Sequence, residues 1–468
     1  MEDKKTYLFY DIESSGLNKC FDQVLQFAAI RTDDQLIEIN RHEIFVKLNP
    51  DIIPSPKALF VNQLSLAKLK QGKKEYEAIR EIHQLFNAPK TVSVGYNNLG
   101  FDDEFLRFSF YRNLFDPYSH QYANGCKRMD IFPMVVIYYL FSRNSLIWPP
   151  LVDSKISLKL EQLGISNNLA EKDFHNAIVD VETTLGLARL LRKDYQIWQY
   201  LEGCFDKNLD QQRIQKLSLN KSGLELLIDP KLGFAKSYQA VTLNLGHHNY
   251  YQNQTLRLPL DDFDLSKVEF KNIGETTHVF RKRFGEPPII LPSSGHYGKY
   301  LTKERQELVA NNLSWIENHQ ELFKEIVAYH RNYQYPLVSN LDPDAALYSQ
   351  GFLSDAEKLW SKKFSASAPA EKPSLLKEAG FRLQELAIRT LGRNYPEFLQ
   401  QHPVWLERFQ SYLDQVKVTK AGVDYRNCSR LSKAEALLEL DELLQSQSLT
   451  ADQLKILADE LKQYIQSW

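Results

Sequence analysis

The stretch Tyr7-Leu8-Phe9-Tyr10-Asp11-Ile12-Glu13 places two carboxylates inside an apolar run near the start of the chain. An apolar run of this length predicts a buried β-strand. Successive side chains of a strand point to opposite faces, so Asp11 and Glu13 share one face and Ile12 points to the other. Two carboxylates on one face repel each other unless a cation lies between them or one is protonated. Because Mg²⁺ and Mn²⁺ prefer oxygen ligands, the pair indicates a divalent-metal site.

Asp102 is a third candidate carboxylate, at the end of the stretch Asn97-Asn98-Leu99-Gly100-Phe101-Asp102. This stretch follows a predicted strand and precedes a predicted helix, so Asp102 has an alternative role as the N-cap of that helix. The neighbouring Asp103 and Glu104 suit the first turn of a helix, where they are expected to interact with its dipole. Taken alone, the position favours capping over metal binding.

His175 and Asp180 lie five residues apart, in a stretch that leads into another predicted helix. Within one helix that offset separates two side chains by about 140°. Both residues therefore reach one site only if His175 lies just before the helix and Asp180 lies in its first turns. The alternative, a histidine on the surface near a helix start, stays open from the spacing alone.

Composition and length set limits on the class of protein. At 468 residues the chain exceeds one ordinary core, and roughly 100–200 residues per domain predicts two to four domains. The formal net charge is −2, so any electropositive surface must be local. Four scattered cysteines argue against a disulfide framework and a structural zinc site. The N-terminus lacks a signal-peptide pattern, and the longest apolar run, Met134 to Phe141, is too short to span a membrane. We therefore expect a cytoplasmic protein with no membrane segment.

Strand-like and helix-like segments alternate up to about residue 191, which predicts a mixed α/β sheet with helices on both faces. The predicted strands are Tyr7–Glu13, Val24–Thr32, Glu43–Lys47 and Thr91–Tyr96. The predicted helices are Glu75–Phe86, Asp103–Tyr111, Ile131–Phe141, Leu158–Leu163 and Ala177–Arg192.

The pattern changes twice further along the chain. Short β-like segments between Gly, Asn, Asp and Pro clusters predict a small β-rich domain, with strands at Ala240–Leu245, Thr255–Pro259 and Thr277–Phe280. Two helical segments at 303–317 and 322–329 and a linker from Tyr335 to Asp344 follow. The remainder predicts an all-α domain, with a loop at Ser361–Pro373. We therefore predict domains at residues 1–196, 197–338 and 341–468.

Asp-x-Glu on the first strand, Asn-x-x-x-Phe-Asp about ninety residues later and His-x-x-x-x-Asp after a further seventy resemble the DEDDh family of 3′→5′ exonucleases. The resemblance covers roughly the first 190 residues and implies an RNase H-like fold. Three later stretches resemble the bacterial exodeoxyribonuclease I family, namely Gly95–Glu104, Phe110–Tyr118 and Leu347–Phe352. That family has about this length and carries an SH3-like β domain and a helical domain after the nuclease.

The resemblance implies a single-stranded-DNA-specific enzyme that releases 5′-mononucleotides in DNA repair and recombination. It implies that Asp11, Glu13, Asp102 and Asp180 hold two Mg²⁺ ions, with Mn²⁺ as a possible substitute, and that His175 is the general base. Substrate contacts are implied for a further set, namely Glu13, Lys159, Arg107, Tyr118 and Tyr122. Three of them have an ordinary alternative, because Lys159 also suits a solvent-exposed helix position and Tyr118 and Tyr122 also suit a core.

The resemblance also implies a monomer that docks the acidic, Phe-ended tail of single-stranded DNA-binding protein. The cluster Arg281-Lys282-Arg283 is a candidate basic patch in the domain expected to close over the nuclease. Two alternatives remain. A DEDDh ribonuclease of the ribonuclease T or oligoribonuclease type is usually about half this length. A non-catalytic single-strand-binding module typically lacks an acidic ligand, whereas all five positions are present here.

Overall fold

A computed structural model describes residues 4–150, 156–170, 176–217, 223–293, 301–418, 421–445 and 460–468. The chain divides into two units. Unit 1 contains Met1–Arg128, Lys172–Thr183 and Leu337–Trp468, and unit 2 contains Met129–Glu171 and Thr184–Pro336. Unit 1 therefore combines segments from both ends of the chain. The division into successive domains at 1–196, 197–338 and 341–468 stays a prediction.

The strands and helices are numbered in chain order. The strands are β1 (Thr6–Ser14), β2 (Val24–Thr32), β3 (Glu38–Phe45), β4 (Thr91–Gly95), β5 (Lys127–Asp130), β6 (Leu224–Ile228), β7 (Gln239–His247), β8 (Gln254–Pro259), β9 (Phe280–Arg283) and β10 (Ile289–Pro292). The helices are α1 (Pro56–Asn62), α2 (Leu66–Lys70), α3 (Glu75–Phe86), α4 (Asp102–Arg112), α5 (Ile131–Phe141), α6 (Leu160–Ser166), α7 (Ala177–Leu191), α8 (Tyr195–Cys204), α9 (Lys207–Leu217), α10 (Ile273–Thr276), α11 (Lys303–Asn318), α12 (Gln320–Asn332), α13 (Asp355–Ala366), α14 (Lys372–Leu375), α15 (Phe381–Asn394), α16 (Pro396–Leu399), α17 (Pro403–Lys417), α18 (Lys433–Gln445) and α19 (Lys462–Gln466).

The first sheet has β1 at its centre, in the order β3-β2-β1-β4-β5. β1 pairs antiparallel with β2 and parallel with β4, so the sheet is mixed, as predicted. Tyr7, Leu8, Phe9 and Tyr10 are all buried, which explains why this apolar run forms the central strand. The pairing of β1 with β2 shifts register between Glu13 and Ser14, so the regular ladder ends beside the carboxylates.

The core of unit 1 is shared between the sheet and the C-terminal helices. Phe27 of β2 and Phe108 of α4 belong to the same buried cluster as Phe364 of α13, Leu386 of α15 and Phe409 of α17. A second cluster joins α1 and α2 to α18 and α19. Because these side chains leave water together, the N-terminal sheet and the C-terminal helices stabilise each other.

Buried charges reinforce this association at the segment predicted as a linker. Asp342 and Asp344 lie there, and both are buried. Arg389 donates to Asp342 at 2.6 Å, while Arg393 and Arg430 donate to Asp344 at 2.5 and 3.0 Å. Burial alone would raise the pKa of the Asp344 carboxyl, but the three arginines outweigh it and hold that pKa well below its usual range. The end of the predicted linker is therefore part of the interior.

Unit 2 contains a second sheet with the order β10-β6-β7-β8-β9, and every pairing in it is antiparallel. Leu256 and Leu258 of β8 pack in one cluster with Ile326 of α12. This sheet confirms the predicted β-rich region, and its assignment as SH3-like stays a prediction. No helix within the described ranges is both long and apolar enough to cross a lipid bilayer.

Several predicted elements match the observed bounds, and β2, α3 and α5 match at both ends. The loop predicted at Ser361–Pro373 is wrong, because α13 runs to Ala366 and buries Phe364. The strand predicted at Thr277–Phe280 is also wrong in position, because β9 begins at Phe280. β5, β6 and β10 were not predicted; they are only four or five residues long, too short for a clear periodicity.

Candidate active site

Asp11, Glu13 and Asp180 form a carboxylate trio. One carboxylate oxygen from each residue lies within 4.8 Å of the other two. Asp11 and Glu13 come from the same face of β1, and Asp180 comes from the first turn of α7. Converging carboxylate oxygens are the ligand set that Mg²⁺ and Mn²⁺ prefer. The trio is the group of potential metal ligands found among the described residues.

The start of α7 is fixed beside β1 by an amide pair that the sequence motifs did not indicate. Asn176 precedes the helix, and its carbonyl accepts from the Asp180 N–H at 3.2 Å. Its side-chain oxygen accepts from Gln26 Nε2 at 3.4 Å. Gln26 is the β2 partner of Glu13, so this contact places the first turn of α7 near the carboxylates of β1. In the sequence, the only signal for this contact was the amide of Asn176 directly after His175.

Asp102 lies at the first position of α4, and the N-cap position belongs to Phe101. The capping alternative for Asp102 is therefore wrong. Asp102 contributes to the raised pKa of both Asp11 and Glu13, so its carboxylate acts on the trio electrostatically. We call Asp102 together with the trio the acidic cluster.

The turn before α4 is held from the sheet side. Asn98 is buried and donates through Nδ2 to the Tyr10 hydroxyl at 3.1 Å. A Cβ at Gly95 would lie 2.6 Å from the Cβ of Asn98, so only glycine permits this approach. Because Tyr10 directly precedes Asp11, the contact ties the Asp102 turn to β1.

The acidic cluster carries more negative charge than its surroundings neutralise. Burial, followed by Asp102, Glu13 and Asp180, raises the pKa of the Asp11 carboxyl well above its usual range. Burial, followed by Asp180 and Asp102, raises the pKa of Glu13 to about 8. A divalent cation reverses this effect by favouring the ionised carboxylates. The donor set and its charge therefore fit a divalent metal.

Asp103 and Glu104 bind side chains instead of serving only the helix dipole. Asp103 is buried and accepts from Arg107 and Arg128, each at 2.6 Å, while His120 Nε2 lies 3.0 Å from its other oxygen. Burial alone would raise the pKa of Asp103, but the two arginines outweigh it and hold that pKa well below its usual range. Glu104 accepts from two tyrosine hydroxyls and from Lys19.

The residues implied to contact substrate occupy different environments. Arg107 is buried, bonds to Asp103 and lies with its guanidinium 5.5 Å from the centre of the Tyr118 ring. Tyr118 is half-buried, whereas Tyr122 is 65% exposed. Lys159 is exposed and precedes α6 within unit 2.

Tyr118 and Tyr122 line one pocket of unit 1. Phe352 and Leu347 contribute apolar walls, and Lys358 and Arg382 contribute positive charge. The rings of Tyr118 and Phe352 meet edge to face, with their centres 5.4 Å apart. The pocket therefore combines aromatic faces with cations.

His175 lies outside the described residues, so its predicted role stays a prediction. In the basic patch predicted at Arg281-Lys282-Arg283, the prediction is wrong for Lys282. Lys282 is fully buried and pairs with Asp210 at 2.6 Å, and Arg283 lies 3.8 Å from Glu286. Arg281 bonds to the Tyr335 hydroxyl.

Comparisons with known proteins agree with this geometry. Residues 8–188 match the family model described as Exonuclease, and residues 341–468 match the model described as Exonuclease I C-terminal domain. Exodeoxyribonuclease I of Escherichia coli strain K12 is 25% identical over 448 residues, which cover 89% of this chain and 93% of the relative.

Solved structures extend the similarity over the whole chain. The moderately thermophilic exonuclease I of Methylocaldum szegediense has a TM-score of 0.84 at 26% identity and covers 99% of both chains. Escherichia coli exonuclease I in complex with a dA16 oligonucleotide has a TM-score of 0.86 at 23% identity and covers 99% of this chain and 100% of its own. A structure described as SSB/exonuclease I with an inhibitor has a TM-score of 0.82 at 23% identity, with coverage of 99% and 100%.

The mixed sheet, the acidic cluster and the matched exonuclease model define a nuclease of the RNase H-like exonuclease class, a hydrolase that uses divalent metal. The match to a C-terminal domain specific to one branch of that class narrows the assignment. The chain carries an exonuclease domain followed by an exonuclease I C-terminal domain.

Proposed function

We propose that the chain is a single-stranded-DNA-specific 3′→5′ exodeoxyribonuclease that releases 5′-mononucleotides. The observation that carries this proposal is the trio of Asp11, Glu13 and Asp180, whose oxygens lie within 4.8 Å of one another. Its relatives are deoxyribonucleases by name, which favours DNA over RNA as the substrate. A role in DNA repair follows from the same family.

The acidic cluster would hold two Mg²⁺ ions, for which Mn²⁺ could substitute. Bound divalent ions supply electrostatic stabilisation of the charge that develops on the attacking and leaving oxygens of a phosphodiester. Asp11, Glu13, Asp102 and Asp180 would hold the ions, and Glu13 would also contact the terminal nucleotide. His175 takes the proton of the attacking water, because a group that titrates near neutrality suits a general base. The electron pair of the scissile P–O bond leaves with the 3′ oxygen.

The pocket around Tyr118 and Tyr122 supports a path for the substrate strand in unit 1. Bases of any sequence stack on aromatic rings, with about 1–3 kcal/mol per base. Lys358 and Arg382 lie in the same pocket and would attract phosphates. Arg107 would contribute beside Tyr118, over whose ring it lies. Lys159, which is exposed, would also contact the substrate.

Unit 2 carries an aromatic surface beside Arg281 that would bind single strands, whereas the buried Lys282 would take no part. Tyr250 and Tyr335 are 56% and 59% exposed. The Arg281 guanidinium lies 4.6 Å from the centre of the Tyr335 ring, where it adds positive charge to a stacking face.

The proposed enzyme has a protein partner and a cellular location. The enzyme would act as a monomer in the cytoplasm and would bind the acidic C-terminal tail of single-stranded DNA-binding protein, as the SSB/exonuclease I structure suggests for its own chain. Fluorescence anisotropy of a labelled tail peptide tests this partner, and the absence of binding at micromolar protein would contradict it.

Digestion of a single-stranded oligonucleotide that carries a label in its 3′-terminal nucleotide tests the activity. With Mg²⁺ the label is expected to appear at once as a 5′-mononucleotide, and with EDTA it is expected to stay in the oligonucleotide. RNA of the same sequence and duplex DNA are the parallel substrates. Faster release from RNA would favour the ribonuclease alternative, and tight binding without release would favour the non-catalytic module.

A further inference from the structure

Asp102 begins a helix that lacks an ordinary side-chain cap. The N-cap position belongs to Phe101, whose side chain has no hydrogen-bond acceptor. Asp102 also faces other carboxylates, and like charges repel. The Asn98–Tyr10 hydrogen bond holds the turn before α4, so the contacts that oppose this repulsion within the first turn itself have to come from side chains other than a cap.

Glu104, on the same helical turn, is held by three residues that come from elsewhere in unit 1. Tyr348 and Tyr425 each donate a hydroxyl hydrogen bond to Glu104 Oε1, at 2.9 and 3.0 Å. Lys19 pairs with the other oxygen and also donates to the carbonyl of Gly100 at 2.5 Å. Both sides of Asp102 along the chain are thus anchored.

The rings of the two tyrosines continue the contact along α4. Phe108 lies one turn after Glu104 and on the same face of the helix. The ring centre of Phe108 lies 5.3 Å from that of Tyr348 and 5.8 Å from that of Tyr425, with the second pair nearly parallel. The two tyrosine rings meet edge to face at 5.3 Å. The C-terminal segment therefore sets both the position and the rotation of α4.

We propose that Tyr348 and Tyr425 are positioning residues that hold Asp102 toward Asp11 and Glu13 by clamping Glu104. The C-terminal segment then completes the geometry of the metal site in addition to any contact it makes with DNA. This inference rests on the metal site of the proposed function. Partners that orient metal ligands typically change metal affinity or activity by about 10–100-fold when they are removed.

Tyr425→Phe is the first test, because it removes a hydroxyl from Glu104 and leaves the ring in place; the other side-chain partner of that hydroxyl, Arg426, lies outside α4. Tyr348→Phe is less selective, since that hydroxyl also accepts from Arg107 at 3.2 Å. The matched control is Tyr412→Phe, which removes a hydroxyl bond of the C-terminal segment to Asp51, outside α4. We expect Tyr425→Phe to weaken Mn²⁺ binding by about 10-fold and to lower kcat with little change in KM for DNA.

Mn²⁺ binding is measured by electron paramagnetic resonance of the free ion on the full chain without DNA. Thermal unfolding of each variant in EDTA reports general loosening separately. Tyr412→Phe is expected to lower the unfolding temperature while Mn²⁺ binding stays at the wild-type value. Glu104→Leu is expected to weaken Mn²⁺ binding, and adding Tyr425→Phe to it should have no further effect, because the shared acceptor is gone.

Wild-type Mn²⁺ affinity in Tyr425→Phe would overturn the proposal. The proposal would also be overturned if Tyr412→Phe weakened Mn²⁺ binding as much as Tyr425→Phe does. The same holds if the effects of Tyr425→Phe and Glu104→Leu on Mn²⁺ binding were fully additive. A wild-type protein that binds Mn²⁺ but releases no nucleotide with Mg²⁺ would refute the proposed function alone. A wild-type protein that binds no Mn²⁺ would refute both.

Discussion

Glu13→Gln in metal-free protein is expected to stabilise the fold at alkaline pH. The pKa of Glu13 is about 8 in the folded chain, whereas the ordinary pKa of a glutamate side chain is 4.5. The folded protein therefore keeps a proton that the unfolded chain releases, and the stability this proton contributes is lost as pH rises from about 4.5 to 8. Each pKa unit corresponds to about 1.4 kcal/mol. The difference between 4.5 and about 8 therefore limits the effect on the free energy of unfolding to about 5 kcal/mol.

The expected gain is smaller than that limit, because glutamine changes local packing and hydrogen bonds by about 1 kcal/mol or more. We expect the free energy of unfolding of Glu13→Gln to exceed that of the wild type by about 2–4 kcal/mol at pH 8 in EDTA. At pH 5 the two free energies of unfolding are expected to agree within about 1 kcal/mol. Saturating Mg²⁺ is expected to stabilise the wild type by about 2.7 kcal/mol at one hundred times its dissociation constant, and the variant by much less.

Urea unfolding followed by tryptophan fluorescence measures these free energies. The difference between the two proteins is the relevant quantity, because His83 and His330, whose pKa values of about 4 are lowered by burial, change the stability of both proteins with pH. Glu75→Gln is the control, since Glu75 is buried but faces Asn49 and Arg112. If the free energies of unfolding of the wild type and Glu13→Gln differ by the same amount at pH 5 and at pH 8, the reasoning is refuted.

Three further predictions concern catalysis, substrate and folding. His175→Ala is expected to lower kcat by about 10²–10⁴-fold and to leave DNA affinity unchanged. Steady-state rates measure the first effect and fluorescence anisotropy the second, and unchanged turnover would contradict the prediction. Tyr122→Ala is expected to raise KM for a single-stranded oligonucleotide by roughly 5–150-fold at constant kcat, whereas Tyr195→Ala, also an exposed tyrosine, should leave KM unchanged. Asp344→Asn is expected to destabilise the fold by about 3–5 kcal/mol at pH 7 in urea unfolding, because three buried arginines lose their carboxylate. The pKa of Asp344 is depressed, so this contribution is present above about pH 4 and is lost as pH falls, and a variant with wild-type acid stability would contradict it.

Short-range patterns predicted the part of the site that lies on one strand. The alternation of side chains along β1 places Asp11 and Glu13 on one face whatever the rest of the chain does. The helix start at Ala177 likewise leaves Asp180 in the first turn, as its offset from His175 required. For Asp102 the sequence position taken alone favoured capping over metal binding, and coordinates were needed to place it inside α4, after the N-cap residue Phe101.

Residues that support the site were missed because their partners are distant in the chain. Tyr348 and Tyr425 lie more than two hundred residues beyond Glu104. Tyr348 belongs to the Leu347–Phe352 stretch that resembles the family, but no sequence pattern pairs either tyrosine with Glu104. The Arg281-Lys282-Arg283 cluster was misjudged for a related reason. Sequence shows the charges, but only the fold places Asp210 beside Lys282 and removes it from solvent.

The sequence by itself determined the chemistry: a strand with paired carboxylates, two further acidic positions and a histidine in the order of a metal-dependent exonuclease. The tertiary structure decided which segments build the site, because hydrophobic burial joins residues without regard to their separation along the chain. The C-terminal helices share a core with the nuclease sheet, and Asp342 and Asp344 carry buried charge between them. The changes in residue pattern along the chain suggested successive domains, whereas packing places both ends of the chain in one unit.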